Sequence, residues 1–249
     1  MPVFFKRLRK QALRSGRWRN GLSYALGELT LIVLGILIAL GISNCNQRRQ
    51  ALDAERNFQE ALARQTATSA LMLDTLISVA QRTVDASSQL LASPNPFENN
   101  DGCWRQMVEQ AVAYDLDFRP LDATVRELTA TGQVRILRDE HLRNALYGWD
   151  SWLAGIHRQE DYLRQLRDRI IGRAVDLGAD LTTFVYAPAA DCSLSSDIRE
   201  ALMDKGVRSW LAVYQSSVEA LIVNHYGYAA SELSKLQRQL ANQLKVESQ

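Results

Sequence analysis

The sequence predicts an all-α protein in which one N-terminal transmembrane helix continues into an extracytoplasmic antiparallel helical bundle. Three observations carry that reading. Leu22–Asn44 is long and apolar enough to cross a bilayer, Ser43 to Ser93 contains neither proline nor glycine, and three long segments carry apolar stripes at spacings of three and four. The expected division is a basic cytoplasmic arm over 1–21, the span over 22–44 and the bundle over 45–249.

From Leu29 to Ile42 the run is apolar apart from Thr30. Those fourteen residues alone are too short, because a span needs roughly 20 residues at about 1.5 Å rise each. Leu22–Glu28 and Ser43–Asn44 supply the missing length and place Tyr24 where interfacial aromatics lie. The extension carries Glu28 into the hydrocarbon or to its edge, at a cost on the order of 3 kcal/mol, less near the interface.

Flanking charge sets the orientation. Seven cationic residues (Lys6, Arg7, Arg9, Lys10, Arg14, Arg17 and Arg19) and no acid precede Glu28, whereas only Arg48 and Arg49 follow the span closely. The positive-inside rule leaves the N-terminus in the cytoplasm and sends the body across an inner membrane. The competing reading is a cleaved signal peptide, with Leu29–Leu40 as its apolar region and Ala39-Leu40-Gly41 as a small-x-small site. Its basic region would be unusually long and would end in an acid, so retention is preferred. Asn44, not a small residue, precedes Cys45, which argues against a lipoprotein.

Tyr24 to Asn46, YALGELTLIVLGILIALGISNCN, resembles the membrane signature of a family of bacterial single-pass membrane proteins of unknown function. Members carry a Tyr-Ala-Ile-Gly-Glu start, an Ile-Gly-Ile-Leu-Ile-Ala-Leu core and an Asn-Asn-Trp-Asn end. Here Ser43-Asn44-Cys45-Asn46 departs from that end and places Cys45 at the family's Trp. Leu128–Leu137 followed by Leu142–Leu146 resembles the family's downstream block more loosely. The resemblance implies the topology and no activity.

Of 249 residues, 47% are hydrophobic and 23% charged, an ordinary globular content sufficient for one body of about 200 residues. Setting aside the basic head and Glu28 leaves 22 basic against 27 acidic residues, a net of −5. An acidic body gives no electrostatic case for nucleic acid. The arm itself, with Phe4, Phe5, Leu8, Ala12 and Leu13 at helical spacing, reads as a topology signal; the alternative is an arm lying on the anionic inner leaflet of the lipid bilayer.

Beyond the span, Leu52, Phe58, Leu62, Leu73, Leu76, Ala80 and Val84 predict a helix over Asn46–Leu91. Thr66 and Ser69 on its stripe make it a modest seam, not an ideal coiled coil. Ser93–Gly102 breaks it. Short helices follow, one carrying Trp104, Met107, Val108 and Ala111 and ending near Asp115–Pro120, and one over Leu121–Thr131 with Gly132 as its C-terminal cap. Asp139 caps a long helix striped by Leu142, Leu146, Trp149, Leu153, Ile156, Leu163, Leu166 and Ile170, ending near Gly178. Ala179–Ser196 reads as a loop. Asp197 and Glu200 have capping-box spacing for a brief helix that stops near Gly206. A final helix over Val207–Leu244 carries Trp210, Tyr214, Val218, Leu221, His225, Leu233, Leu236, Leu240 and Leu244 on its stripe. The only strand signals, weak ones, are Gln133–Leu137 and Thr182–Tyr186. Bundling the stripes against one another is the economical way to bury them.

Candidate interaction residues come from the span. Glu28, Gly35, Ala39 and Ser43 share a face, and small residues there let a second helix approach closely, in a homodimer or with a partner membrane protein. The alternative is a plain anchor whose Glu28 reaches the headgroups. Outside the membrane, Cys103 and Cys192 lie in two polar breaks and are candidates for a disulfide, leaving Cys45 for an intermolecular one.

Chemistry is sparse. His157 and Glu160 fall on one helix face, but a metal site needs more convergent ligands. His141 stands at a helix start, and His225 on the apolar stripe reads as a core residue. HExxH, GxSxG, a phosphate-binding glycine loop and paired CxxC are all missing, so neither metal nor cofactor is expected. Aromatics concentrate late, at Tyr147, Trp149, Trp152 and Tyr162, then Trp210, Tyr214, Tyr226 and Tyr228. They read first as core packing and second as a small-ligand pocket. The function class left is a membrane-anchored, non-enzymatic interaction or scaffold protein of the bacterial envelope. The alternative is an extracytoplasmic small-molecule sensor acting through a partner.

Overall fold

A computed structural model of the protein describes residues 17–92, 96–98, 103–182 and 192–246, with 17–27, 98 and 246 as backbone alone. Most of the basic arm, most of the Ser93–Gly102 break and the strand signal over 183–186 lie outside the described residues. The chain divides into two compact units, Met1–Glu55 and Arg56–Gln249.

The first unit holds the beginning of helix α1 (Arg17–Leu91). Every side chain from Glu28 to Asp53 is exposed, although Leu29–Ile42 is almost wholly apolar. A helix of that length and composition fits a membrane anchor.

The second unit is built from helices joined by irregular segments, with no strand among its described residues. Its long tracts are the later part of α1, α4 (Glu140–Asp176) and the pair α6 (Lys205–Ala220) and α7 (Gly227–Val246). Shorter helices α2 (Trp104–Val112), α3 (Ala123–Ala130) and α5 (Ser196–Met203) connect them, with 3-10 turns at Pro96–Glu98 and Gln133–Ile136. Side-chain hydrogen bonds fix the directions. Gln59 to Gln243, Gln237 to Thr66, Gln215 to Ser88 and Arg208 to Leu90 pair rising numbers on α1 with falling numbers on α7 and α6. Gln243 to Asp139, Tyr226 to Glu160 and Arg173 to Asp204 do the same for α4. The α6–α7 tract is therefore antiparallel to both other long helices.

The expected single helix over Val207–Leu244 contains a π-helical turn at Leu221–Tyr226. Buried residues run Val207, Leu211, Tyr214, Val218 and Leu221 in steps of four and three, then step by five to Tyr226. Ala229, Leu233, Leu236 and Leu240 resume the ordinary spacing. A π turn holds one residue more than an α turn and shifts the register by that residue. Tyr226, not His225, thus takes the core position, and His225 is left half-buried beside Gly155.

Local boundaries follow their capping chemistry. Asp139 accepts from the Leu142 N–H at 3.1 Å and starts α4, and Gly132 ends α3 in the left-handed region at φ 67°. Two expectations are corrected. Asp197 does not form a capping box; its carboxylate accepts from the Asp180 N–H at 2.6 Å and ties the preceding segment to α5. That helix stops at Met203 because Asp204 caps α6 instead, accepting from Gly206 and Val207 at 3.0 and 3.2 Å. Gln133–Ile136 is a 3-10 turn, not a strand, and it buries Val134 against α3 and α4.

Candidate functional site

The site is built around a stretch of irregular chain. Between α2 and α3 residues 114–122 form no helix, yet Leu116 and Phe118 are buried. Backbone taken into a core must find hydrogen-bond partners for its N–H and C=O groups. The long helices provide them with side chains. Glu160 Oε1 accepts from the Phe118 N–H at 2.9 Å, and His157 Nε2 lies 3.0 Å from the Phe118 carbonyl oxygen. On α1, Ser69 Oγ accepts from the Leu121 N–H at 2.9 Å and Gln65 Oε1 from the Thr124 N–H at 3.1 Å. Ser69 on the α1 stripe and Glu160 on the α4 stripe thus hold this segment, with Gln65 and His157 beside them.

Glu160 is the centre of the arrangement. It lies on the buried stripe of α4, midway between Ile156 and Leu163, and is 2% exposed. Tyr226 donates its hydroxyl to the same Oε1 at 2.6 Å. The π turn is what brings that tyrosine inward. Burial pushes the Glu160 carboxyl above its usual range, against the pull of the Tyr226 and Phe118 donors. Tyr226 is pushed up by burial and by the adjacent Glu160. Oε2 of Glu160 is buried and has no hydrogen-bond partner.

Asp117 completes the cluster from the irregular segment. One oxygen of each carboxylate and one ring nitrogen of His157 lie within 4.8 Å of one another. A carbonyl oxygen only accepts, so His157 Nε2 is the donor in this contact. Asp117 is held at Oδ2 by Arg119 at 2.7 Å. Sequence reasoning paired His157 with Glu160 but had no means of adding Asp117 or Tyr226. The seven-residue gap in the α4 stripe between Ile156 and Leu163 was the signal that Glu160 faces inward.

The late aromatics divide between two roles. Trp149, Tyr214 and Tyr226 are fully buried in the core. Trp149 and Trp152 meet edge to face at 4.7 Å, and with Gly148, Tyr228, Glu232 and Lys235 they line a groove of about 520 Å³ between α4 and α7. Tyr147 and Tyr162 are exposed, and Trp210 lies under the Arg169 guanidinium at 5.0 Å. His141 lines the far end of the same groove.

Cys103 and Cys192 are joined in a disulfide with their Cα atoms 4.3 Å apart, whereas Cys45 is a free, exposed thiol. Glu28, Gly35, Ala39 and Ser43 are exposed on α1, and a side chain built at Gly35 would meet nothing within 4 Å. Compared with protein-family models, curated proteins and solved structures, the chain finds no match.

Proposed function

We propose that the protein is a single-pass, membrane-anchored interaction module of the bacterial envelope, non-enzymatic, with its N-terminus in the cytoplasm and its bundle across the inner membrane. The observation that carries this is the apolar stretch of α1, whose side chains from Leu29 to Ile42 find no cover within the chain. Such a surface calls for lipid or another membrane helix. The oxidised pair Cys103–Cys192 supports an extracytoplasmic body. Cys45, exposed at the outer end of the span, suits an intermolecular disulfide in a homodimer whose helices meet at Glu28, Gly35, Ala39 and Ser43.

Purification from membranes in mild detergent, followed by non-reducing and reducing gels, tests this reading. A dimer that disappears on reduction and in Cys45→Ser supports self-association. A stoichiometric second protein transfers the role to a partner complex. A monomer with nothing bound removes the scaffold reading. In that case the groove lined by Trp152 and Tyr228 favours the sensing alternative, and quenching of tryptophan fluorescence by candidate ligands is the corresponding screen.

A further inference from the structure

We propose that Asp117, His157 and Glu160 form a binding site for one divalent first-row transition-metal ion of the Zn²⁺ or Mn²⁺ class, where the irregular segment crosses α4. The inference is independent of the scaffold reading.

Convergence is the first argument. The three ligand-capable atoms lie within 4.8 Å of one another. Nitrogen and oxygen ligands around such an ion sit at about 2.0–2.2 Å from it, hence roughly 3–4 Å apart. Bound ion therefore requires only a small inward movement. Asp117 is the group able to make it: its side chain is 29% exposed and its partner Arg119 is 77% exposed, a surface pair that gives way readily.

The second argument separates a metal site from a mere clamp on the Phe118 backbone. Clamping uses Glu160 Oε1 and His157 Nε2. It leaves Glu160 Oε2 buried without a partner. A buried acceptor with nothing donating to it costs about 1–3 kcal/mol, and an ion is one species that relieves it. The bond from His157 to a backbone carbonyl is also the outer-shell arrangement that orients metal-binding imidazoles and fixes their tautomer.

Donor chemistry chooses the class of ion. Calcium and magnesium take oxygen ligands almost alone, and copper(I) takes sulfur. One imidazole with two carboxylates suits zinc, manganese or iron(II).

The test uses the full-length protein in detergent micelles, with any affinity tag removed and metal stripped by a chelator. Titration calorimetry with Zn²⁺ and Mn²⁺ is expected to give one ion per chain, and Co²⁺ to develop visible absorption in the same stoichiometry. Asp117→Asn leaves the Phe118 backbone bonds intact, and Glu160→Gln keeps an oxygen to accept them. Each variant is expected to weaken binding at least tenfold, the loss typical of an outer-shell partner alone, while its metal-free melting stays cooperative. No saturable binding, or binding equal to wild type in both variants, overturns the proposal.

Discussion

Leu37 and Leu146 are the same residue in opposite settings, one 59% exposed on the apolar stretch of α1 and the other 1% exposed on α4. The difference lies in what surrounds each along the sequence. Around Leu37 the helix is apolar on every side, so no face is marked for burial within the protein and the whole cylinder needs an apolar solvent. Around Leu146 apolar residues recur only along one stripe, and that stripe finds its complement on α6 and α7. Hydrophobic content alone therefore does not decide burial. Its angular distribution does.

The largest effect comes from placing the same charge in both settings. Leu146→Arg buries an unpaired guanidinium in the core, a defect severe enough to abolish cooperative folding of the bundle. Leu37→Arg costs about 3 kcal/mol of insertion at mid-span and touches no core. Its bundle should melt as wild type by circular dichroism while the membrane-bound fraction falls. An unchanged melt for Leu146→Arg, or full membrane retention for Leu37→Arg, breaks the comparison.

A smaller effect tests how much of the body's cohesion is covalent. The Cys103–Cys192 bond closes a loop with a sequence separation of 89, worth about 4–5 kcal/mol in the chain-entropy account. Replacing both cysteines with serine should lower the melting temperature by on the order of 10 °C. A change within a degree or two would mean that residual structure already restrains the unfolded chain without the bond.

The long helices, their stripes and the Asp139 and Gly132 caps were legible because each is a local rule about spacing or conformation. The π turn was not. A step of five between Leu221 and Tyr226 reads equally as a flaw in an α-helical stripe, and His225 fits the 3.6-residue period better than Tyr226 does. The error propagates, because the turn carries Tyr226 to Glu160. Asp117 was invisible for a different reason: it sits on irregular chain forty residues from His157, and no periodicity links a loop to a helix. Thr66 and Ser69 appeared as weaknesses of the α1 seam. Ser69 is in fact the acceptor for the Leu121 N–H, and Thr66 returns its hydroxyl to the Leu62 carbonyl at 2.8 Å.

The smallest effect concerns pH and separates the buried carboxylate from the surface ones. Glu160 has its folded pKa raised by burial, so between its ordinary value of 4.5 and that raised value the folded state binds more protons than the unfolded state. Stability then falls as pH climbs through this window and levels off above it. Asp180, Asp197 and Asp204 carry the opposite sign. Their carboxylates are held below the ordinary 3.8 by hydrogen bonds from Thr182, from the Asp180 N–H and from Arg173 respectively. Their contribution is complete above 3.8 and is lost as pH falls below it. The two windows do not overlap, so chemical denaturation of chelator-treated protein from pH 4.5 upward isolates Glu160 from these three. Glu160→Gln cannot titrate and should flatten the curve over that range, leaving the acid limb unchanged. A variant that keeps the wild-type decline would assign the titration to another group and remove Glu160 from the centre of the cluster.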